Sequence, residues 1–246
     1  MSFERIIIYI DVLGFSKKVQ GEENFLESYE AKLRNLYDIH NCNQEFVEHR
    51  KGFYSLEFKS TMISDSFLFS LPLEENPRIL ENMPEQFREA SAKQSLNYIL
   101  LAALNIYQDV FFELKGLARG IIHIGDLIHD EHFIVGKGFI EAYELEREES
   151  FQHPSIYLSS AFQERYKDEI TSELKKDRNH TLLREENNKI YIFPAGFNTG
   201  TNREKTQNII KNGLEEAQNI SDAKRPPCDK WIWFEKILRE VDEKID

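Results

Sequence analysis

Ile6-Ile7-Ile8-Tyr9-Ile10-Asp11-Val12-Leu13-Gly14-Phe15-Ser16 is the stretch on which the fold turns. Residues 5–10 read as a fully apolar, buried strand, and Asp11 sits at its end. A second stretch, Met62-Ile63-Ser64-Asp65-Ser66-Phe67-Leu68-Phe69, carries Asp65 in a matching context. A carboxylate taken out of water there is costly unless a cation or hydrogen bonds compensate it. Two such strands side by side bring the carboxylates together, and like charges so close call for a divalent metal. In the competing reading, Asp11 caps the helix after the turn and Asp65 closes a hairpin.

Outward from these stretches, Leu26, Tyr29, Leu33, Leu36 and Tyr37 recur at helical spacing. Strands are predicted around Gly52–Phe58 and Met62–Ser70, and the acidic, Pro-containing stretch Leu73–Pro84 reads as a loop. A long helix runs from about Pro84 to Leu114, with Leu96, Ile99, Leu100, Ala103, Leu104, Tyr107, Val110 and Phe111 on its buried face. Leu117–Ile124 and Asp126–Val135 form a second strand pair, with the turn at Asp130-Glu131 or at Gly125-Asp126. Gly136-Lys137-Gly138 opens a helix through Ala142, Leu145 and Glu146. Then come a strand at Ser155–Leu158, a short helix, a charged segment (Asp168–Asn188) and a strand at Lys189–Phe193. Helices over 202–217 and 229–243 flank Lys224-Arg225-Pro226-Pro227. The order predicts an α+β fold, a mixed sheet of ferredoxin-like (palm) type βαββαβ with helices packed on one face, plus a C-terminal helical extension. The main unit spans 1–200 and the extension 201–246, where Trp231, Trp233, Phe234, Ile237 and Leu238 form an amphipathic helix that docks on its own core.

The chain has 246 residues, 41% of them hydrophobic, enough for a substantial core. No apolar run approaches the ~20 residues of a membrane span, and Met-Ser-Phe-Glu-Arg leads into a strand without a signal-peptide pattern. Cys42 and Cys228 lack metal-ligand spacing and read as reduced thiols, which predicts a cytoplasmic protein. The net charge of -12, from 43 acidic and 31 basic residues, opposes a nucleic-acid polymer but not one metal-bound nucleotide.

Asp11 and Asp65 are hard oxygen donors suited to Mg²⁺ or Mn²⁺, with the remaining positions left to phosphate oxygens and water. Two ions roughly 3.5–4 Å apart can activate an attacking hydroxyl and stabilise leaving pyrophosphate. Leu13-Gly14-Phe15-Ser16 is a turn whose amides can meet phosphate, or simply a strand-to-helix connection. His123, inside Arg119-Gly120-Ile121-Ile122-His123-Ile124-Gly125, reads as a structural histidine. Gly136-Lys137-Gly138 lacks P-loop spacing and reads as a helix entry. Tyr54 or Phe53 could stack on a pyrimidine, although strand aromatics usually belong to the core.

In this order the stretches resemble the class III nucleotidyl cyclases, the adenylate/guanylate cyclase catalytic domain. Ile10-Asp11-Val12-Leu13-Gly14-Phe15-Ser16 is similar to the family's Asp-Ile-x-Gly-Phe-Ser/Thr strand, and Ile63-Ser64-Asp65 to its Ile-Gly-Asp hairpin. Arg119 to Gly125 resembles Arg-x-Gly-Ile-His-x-Gly, and Gly138 to Glu146 resembles Val-Asn-x-Ala-Ala-Arg-Leu-Glu. The resemblance covers residues 5–195 and implies a catalytic domain in 1–200. It implies that Asp11, Asp65 and the Val12 carbonyl bind two Mg²⁺ or Mn²⁺ ions, and that the amides of Leu13, Gly14, Phe15 and Ser16 hold the triphosphate. Lys189 is similar to a phosphate lysine. A ribose 3′-hydroxyl would attack the α-phosphorus to give a 3′,5′-cyclic nucleotide and pyrophosphate, at a homodimer interface. Ile140 and Glu144 stand where the family has its transition-state Asn and Arg, leaving Arg119, Lys137 and Arg147 as candidate cations. Thr61 stands where adenylate cyclases carry the adenine-reading Lys. That departure makes the chain most similar to the stand-alone uridylate and cytidylate cyclases of Pycsar antiphage defence, acting on UTP or CTP. The alternatives are a catalytically degenerate nucleotide-binding or dimerisation module and a metal-dependent phosphohydrolase.

Overall fold

A computed structural model describes residues 3–15, 27, 30–32, 59–73, 85–148, 153–176, 181–194, 197, 200, 202–218 and 227–242. Of the helix expected over Leu26–Tyr37 only 27 and 30–32 are described, and these are helical; the strand at Gly52–Phe58 and nearly all of the Leu73–Pro84 loop lie outside the described residues.

The strand containing Asp11, β1 (Glu4–Val12), lies inside a seven-stranded sheet of order β2-β3-β1-β4-β7-β9-β8. Its neighbours β3 (Ser66–Pro72) and β4 (Ala118–Asp126) both run antiparallel to it. With β2 (Lys59–Ile63) beyond β3, the first four strands have the ferredoxin-like order. Helix α1 (Glu85–Leu114) joins β3 to β4 and carries the expected buried line from Leu96 through Tyr107 to Phe111. Helix α2 (Lys137–Arg147) leads to β7 (Ile156–Leu158), which pairs parallel with β4, as a helical crossover permits. The sheet is therefore mixed and the fold is α+β, as the element order predicts.

β1 is apolar along its length because it is covered on both sides. Ile6, Ile8 and Ile10 on one face and Ile7 and Tyr9 on the other are all buried. Across the Tyr9 face lies α2, with the Tyr9 ring edge-on to Phe139 at 6.2 Å and to Tyr143 at 6.1 Å. Glycines set how closely α2 approaches. A Cβ on Gly138 would fall 2.8 Å from the Gly125 carbonyl carbon and 2.8 Å from Ile7 Cδ1, so helix and sheet backbones meet with no room for a side chain.

Three local expectations need correction. The predicted strand Met62–Ser70 is two strands, broken by a turn at Ser64-Asp65 in which Ser64 adopts a left-handed φ of 58°. The segment after β4 does not form a long hairpin partner. It makes a two-stranded sheet of its own, β5 (Ile128–His129) with β6 (Ile134–Val135), closed by Asp130 N–H to the Phe133 carbonyl at 3.1 Å. The charged segment is also structured. After α3 (Ser160–Arg165) it contributes α4 (Lys167–Leu174) and the edge strand β8 (Leu183–Glu186), which pairs with β9 (Lys189–Ile192).

The C-terminal helices α5 (Asn202–Gln218) and α6 (Pro227–Asp242) dock on the core. Phe234 packs against Phe111 at 5.2 Å and Tyr107 at 6.0 Å, and Trp233 stacks on His153 at 4.6 Å. Among the described residues no helix is long and apolar enough to cross a membrane.

Gly138→Ala must push α2 off β4. It is expected to lower the unfolding free energy by about 1–3 kcal/mol, as overpacking of a close contact does. Urea denaturation checks this, and a loss within a few tenths of a kcal/mol would show that α2 is free to shift.

Candidate functional site

Backbone pairing brings the two aspartates to one end of the sheet. Asp11 lies between Ser66 of β3 and Arg119 of β4 in the strand register. The Val12 N–H donates to the Asp65 carbonyl at 3.0 Å, pinning the β2–β3 turn against the end of β1. Two-residue alternation puts Tyr9 and Asp11 on the same face, and their cross-strand partners share it. The Tyr9 hydroxyl donates to Ser66 Oγ at 2.9 Å, and Ser66 Oγ donates to Asp11 Oδ1 at 3.0 Å. This relay fixes the orientation of one carboxylate oxygen. Burial pushes the Tyr9 phenol up to about 12, so it stays a neutral donor.

The end of α2 brings in a third carboxylate. Glu146 is only 2% exposed and pairs with Arg119 Nε. Asp11 is pushed up to about 6, first by burial and then by Glu146; the Ser66 hydrogen bond opposes this, Asp65 adds to it and Arg119 works against it. One guanidinium thus serves both Glu146 and Asp11, with Asp65 a further negative charge acting on Asp11, so the cluster is short of positive charge. Its oxygens are hard donors of the class that Mg²⁺ and Mn²⁺ take, so Asp11 and Asp65 fit such an ion in their chemistry. Among the described residues no group of three or more His, Cys, Asp or Glu forms a cage for a metal ion.

Of the other expected site residues, Arg119 joins the cluster and Lys137 does not. Lys137 is at the opposite end of α2, nine residues before Glu146, which is about 14 Å along a helix. Its side chain is exposed and pairs with Glu141 at 2.9 Å. Lys189, on β9, is three strands from β1 and displaced toward the other end of the sheet, about 20 Å from Asp11 by sheet spacing. The Leu13 amide is already used, donating to the Leu117 carbonyl at 2.8 Å, so it is not available to a phosphate. Gly14 has a left-handed φ of 82° with open space where a Cβ would lie, and Phe15 packs against the core. Ser16 and Tyr54 lie outside the described residues. Thr61 shares the Asp11 face and bonds to His129. Ile140 and Glu144 are exposed on α2.

Sequence reasoning missed Glu146, Ser66, Tyr9 and His129 as site residues. Alternation from Asp11 would have found Tyr9, and position next to Asp65 would have found Ser66. No family model matches this chain, and no curated protein matches it.

The raised Asp11 value gives a stability prediction with a definite sign. Its folded value of about 6 exceeds the ordinary 3.8, so the contribution is full below the unfolded value and is lost as pH rises through 6. Asp11→Asn is expected to flatten this dependence and to be about 1–3 kcal/mol more stable than the parent near pH 7. Denaturation over a pH series checks it, and an Asn variant that is less stable at neutral pH overturns it.

Proposed function

We propose that this chain is a metal-dependent nucleotidyl cyclase. It converts UTP or CTP to the 3′,5′-cyclic monophosphate and pyrophosphate, as a cytoplasmic homodimer signalling in antiphage defence. The observation that carries this reading is the meeting of Asp11 and Asp65 at one end of adjacent strands in a ferredoxin-like sheet. Asp11 and Asp65, with the Val12 carbonyl, would hold divalent cations, which when bound supply hydroxyl activation and neutralisation of phosphate charge.

In the reaction the ribose 3′-oxygen bonds to the α-phosphorus, the bond from that phosphorus to the bridging oxygen breaks, and the hydroxyl proton leaves to solvent. The chain's own part is positioning and electrostatics. Tyr9 and Ser66 hold one Asp11 oxygen, leaving the other for a ligand. Glu146 holds Arg119 beside Asp11, keeping a cation near the developing charge. Ile140 on α2 is 55% exposed, an apolar surface of the kind a second copy could cover.

A second reading, a catalytically degenerate nucleotide-binding or dimerisation module, draws on one observation. Ile140 and Glu144 stand exposed where the resemblance calls for Asn and Arg, and Lys137 is too remote to replace them.

Incubating the protein with each of the four nucleoside triphosphates and Mn²⁺ separates these readings. A cyclase yields cyclic product by mass spectrometry, and Asp65→Ala lowers turnover by about 100-fold or more. Nucleotide binding without pyrophosphate release favours the module, a nucleoside monophosphate or free phosphate indicates a phosphohydrolase, and no cyclic product from any triphosphate ends the proposal. Independently of turnover, Mn²⁺ is expected to raise the Tm of the parent at neutral pH and to leave Asp11→Asn nearly unmoved. Equal shifts in both would remove Asp11 from the metal site.

A further inference from the structure

His123 is buried on β4, on the face that α2 covers, and each of its ring nitrogens meets one side chain. Nδ1 is 3.1 Å from Ser159 Oγ, and Nε2 is 3.4 Å from Glu141 Oε2. Ser159 lies just past β7 and caps α3, its Oγ accepting from the Phe162 N–H at 3.2 Å. Glu141 carries the line outward to Lys137 at 2.9 Å. One imidazole thus joins the strand that holds Arg119 to two helices.

The hydrogens along this line are fixed by what each group can do. A carboxylate only accepts, so Nε2 carries the proton and Nδ1 is left as an acceptor. The Ser159 hydrogen then goes to Nδ1, while its oxygen receives Phe162. The neutral ring satisfies every member of the line. A second proton does not fit. With a hydrogen on Nδ1, the serine oxygen faces the Nδ1–H and the Phe162 N–H while its own hydrogen seeks an acceptor. Among the described residues Ser159 Oγ has no further partner, and at 2% exposure water does not supply one.

The charges around the ring divide. Burial holds the imidazole below its ordinary 6.5, with Glu141 pulling it up and Lys137 pushing it down, both from α2. Across the strand register β1 offers only Ile7, and α3 offers the neutral Ser159. The neutral ring is therefore the form the fold prefers. Its contribution is full above the unfolded value and is lost as pH falls through the lower folded one.

The geometry points to His123 as a proton-operated lock, which ties α2 and α3 to β4 at neutral pH and frees the α3 cap in mild acid. The lock gives way on one side only. The second proton strengthens the pairing with Glu141, which keeps α2 seated, and sets Ser159 against Phe162. Neither nucleotide nor metal takes part, so the lock stands or falls apart from the cyclase reading.

Long-range proton–nitrogen NMR of the imidazoles, with His123 assigned by its loss in His123→Gln, tests this from about pH 8 to about pH 5. At the upper end the proton is expected on Nε2, and the midpoint should fall below 6.5. The Phe162 amide proton should move upfield with that same midpoint, as a weakened hydrogen bond requires, and stay still in His123→Gln. Ser159→Ala should raise the midpoint by about half a pH unit or more, and Glu141→Gln should lower it by about as much. A histidine that only fills the core titrates without moving Phe162 and without answering to Ser159. If Ser159→Ala fails to fold, the Phe162 signal and Glu141→Gln decide the matter. A proton on Nδ1 at neutral pH, a midpoint of 6.5 or above, or a Phe162 signal indifferent to the titration overturns the lock. A midpoint that Ser159→Ala leaves in place or lowers does the same.

Discussion

The Val12 N–H bond to the Asp65 carbonyl is the contact on which the site depends. Strand pairing alone carries Asp11 to the end of β1, but the second carboxylate sits in a turn, and turns splay unless something holds them. One backbone bond from the residue after Asp11 to Asp65 itself couples the two acidic positions. It also explains why β1 must be so apolar. A strand buried on both faces and paired along both edges has no freedom to slip, since a one-residue shift would send Asp11 to the opposite face.

The cluster built on that contact is not at electrostatic rest. Each buried carboxylate costs several kcal/mol of hydration unless it is paired, and here Arg119 is already committed to Glu146. Ser66 relieves part of the burden on Asp11 through one hydrogen bond, worth about 1.5–3 kcal/mol to a charged acceptor. The remainder appears as the raised Asp11 value. A site that served only the fold would do better with Asn at position 11, which keeps the Ser66 bond without the charge. Retaining a carboxylate against that gradient supports the proposed cation site.

The parts legible in the sequence were those where one strong rule acts alone. The Ile run of β1 and the apolar period of α1 each pointed to one structure. The β2–β3 break was half legible: Ser64-Asp65-Ser66 interrupts the apolar run, and the alternative in which Asp65 closes a hairpin already placed a turn there, which Ser64 makes in a left-handed conformation. β8 escaped because an edge strand can be as charged as Leu-Arg-Glu-Glu, with solvent on its open side. Glu146 read as part of a charged helix end, since nothing local says that Arg119, 27 residues earlier, waits beneath it. Lys137 failed for the opposite reason. It stood as a candidate cation because Glu144 replaces the Arg that the resemblance calls for, but the glycines around it serve the close seating of α2, and the lysine is left in solvent beside Glu141.

Helix α2 connects these observations. At its start Gly138 meets Gly125 backbone to backbone, at its middle Phe139 and Tyr143 close over Tyr9, and at its end Glu146 reaches Arg119. The depth set by two glycines is therefore transmitted along a rigid rod of about 12 Å to the charge beside Asp11. A side chain at the glycine contact would tilt the rod, and the end that moves most is the one bearing Glu146. Arg119 would then be free to turn toward Asp11 and satisfy it directly, filling with protein charge the place that the proposed cation would take. The close glycine packing far from the aspartates thus holds Glu146 on Arg119 and keeps that guanidinium from pairing with Asp11 alone.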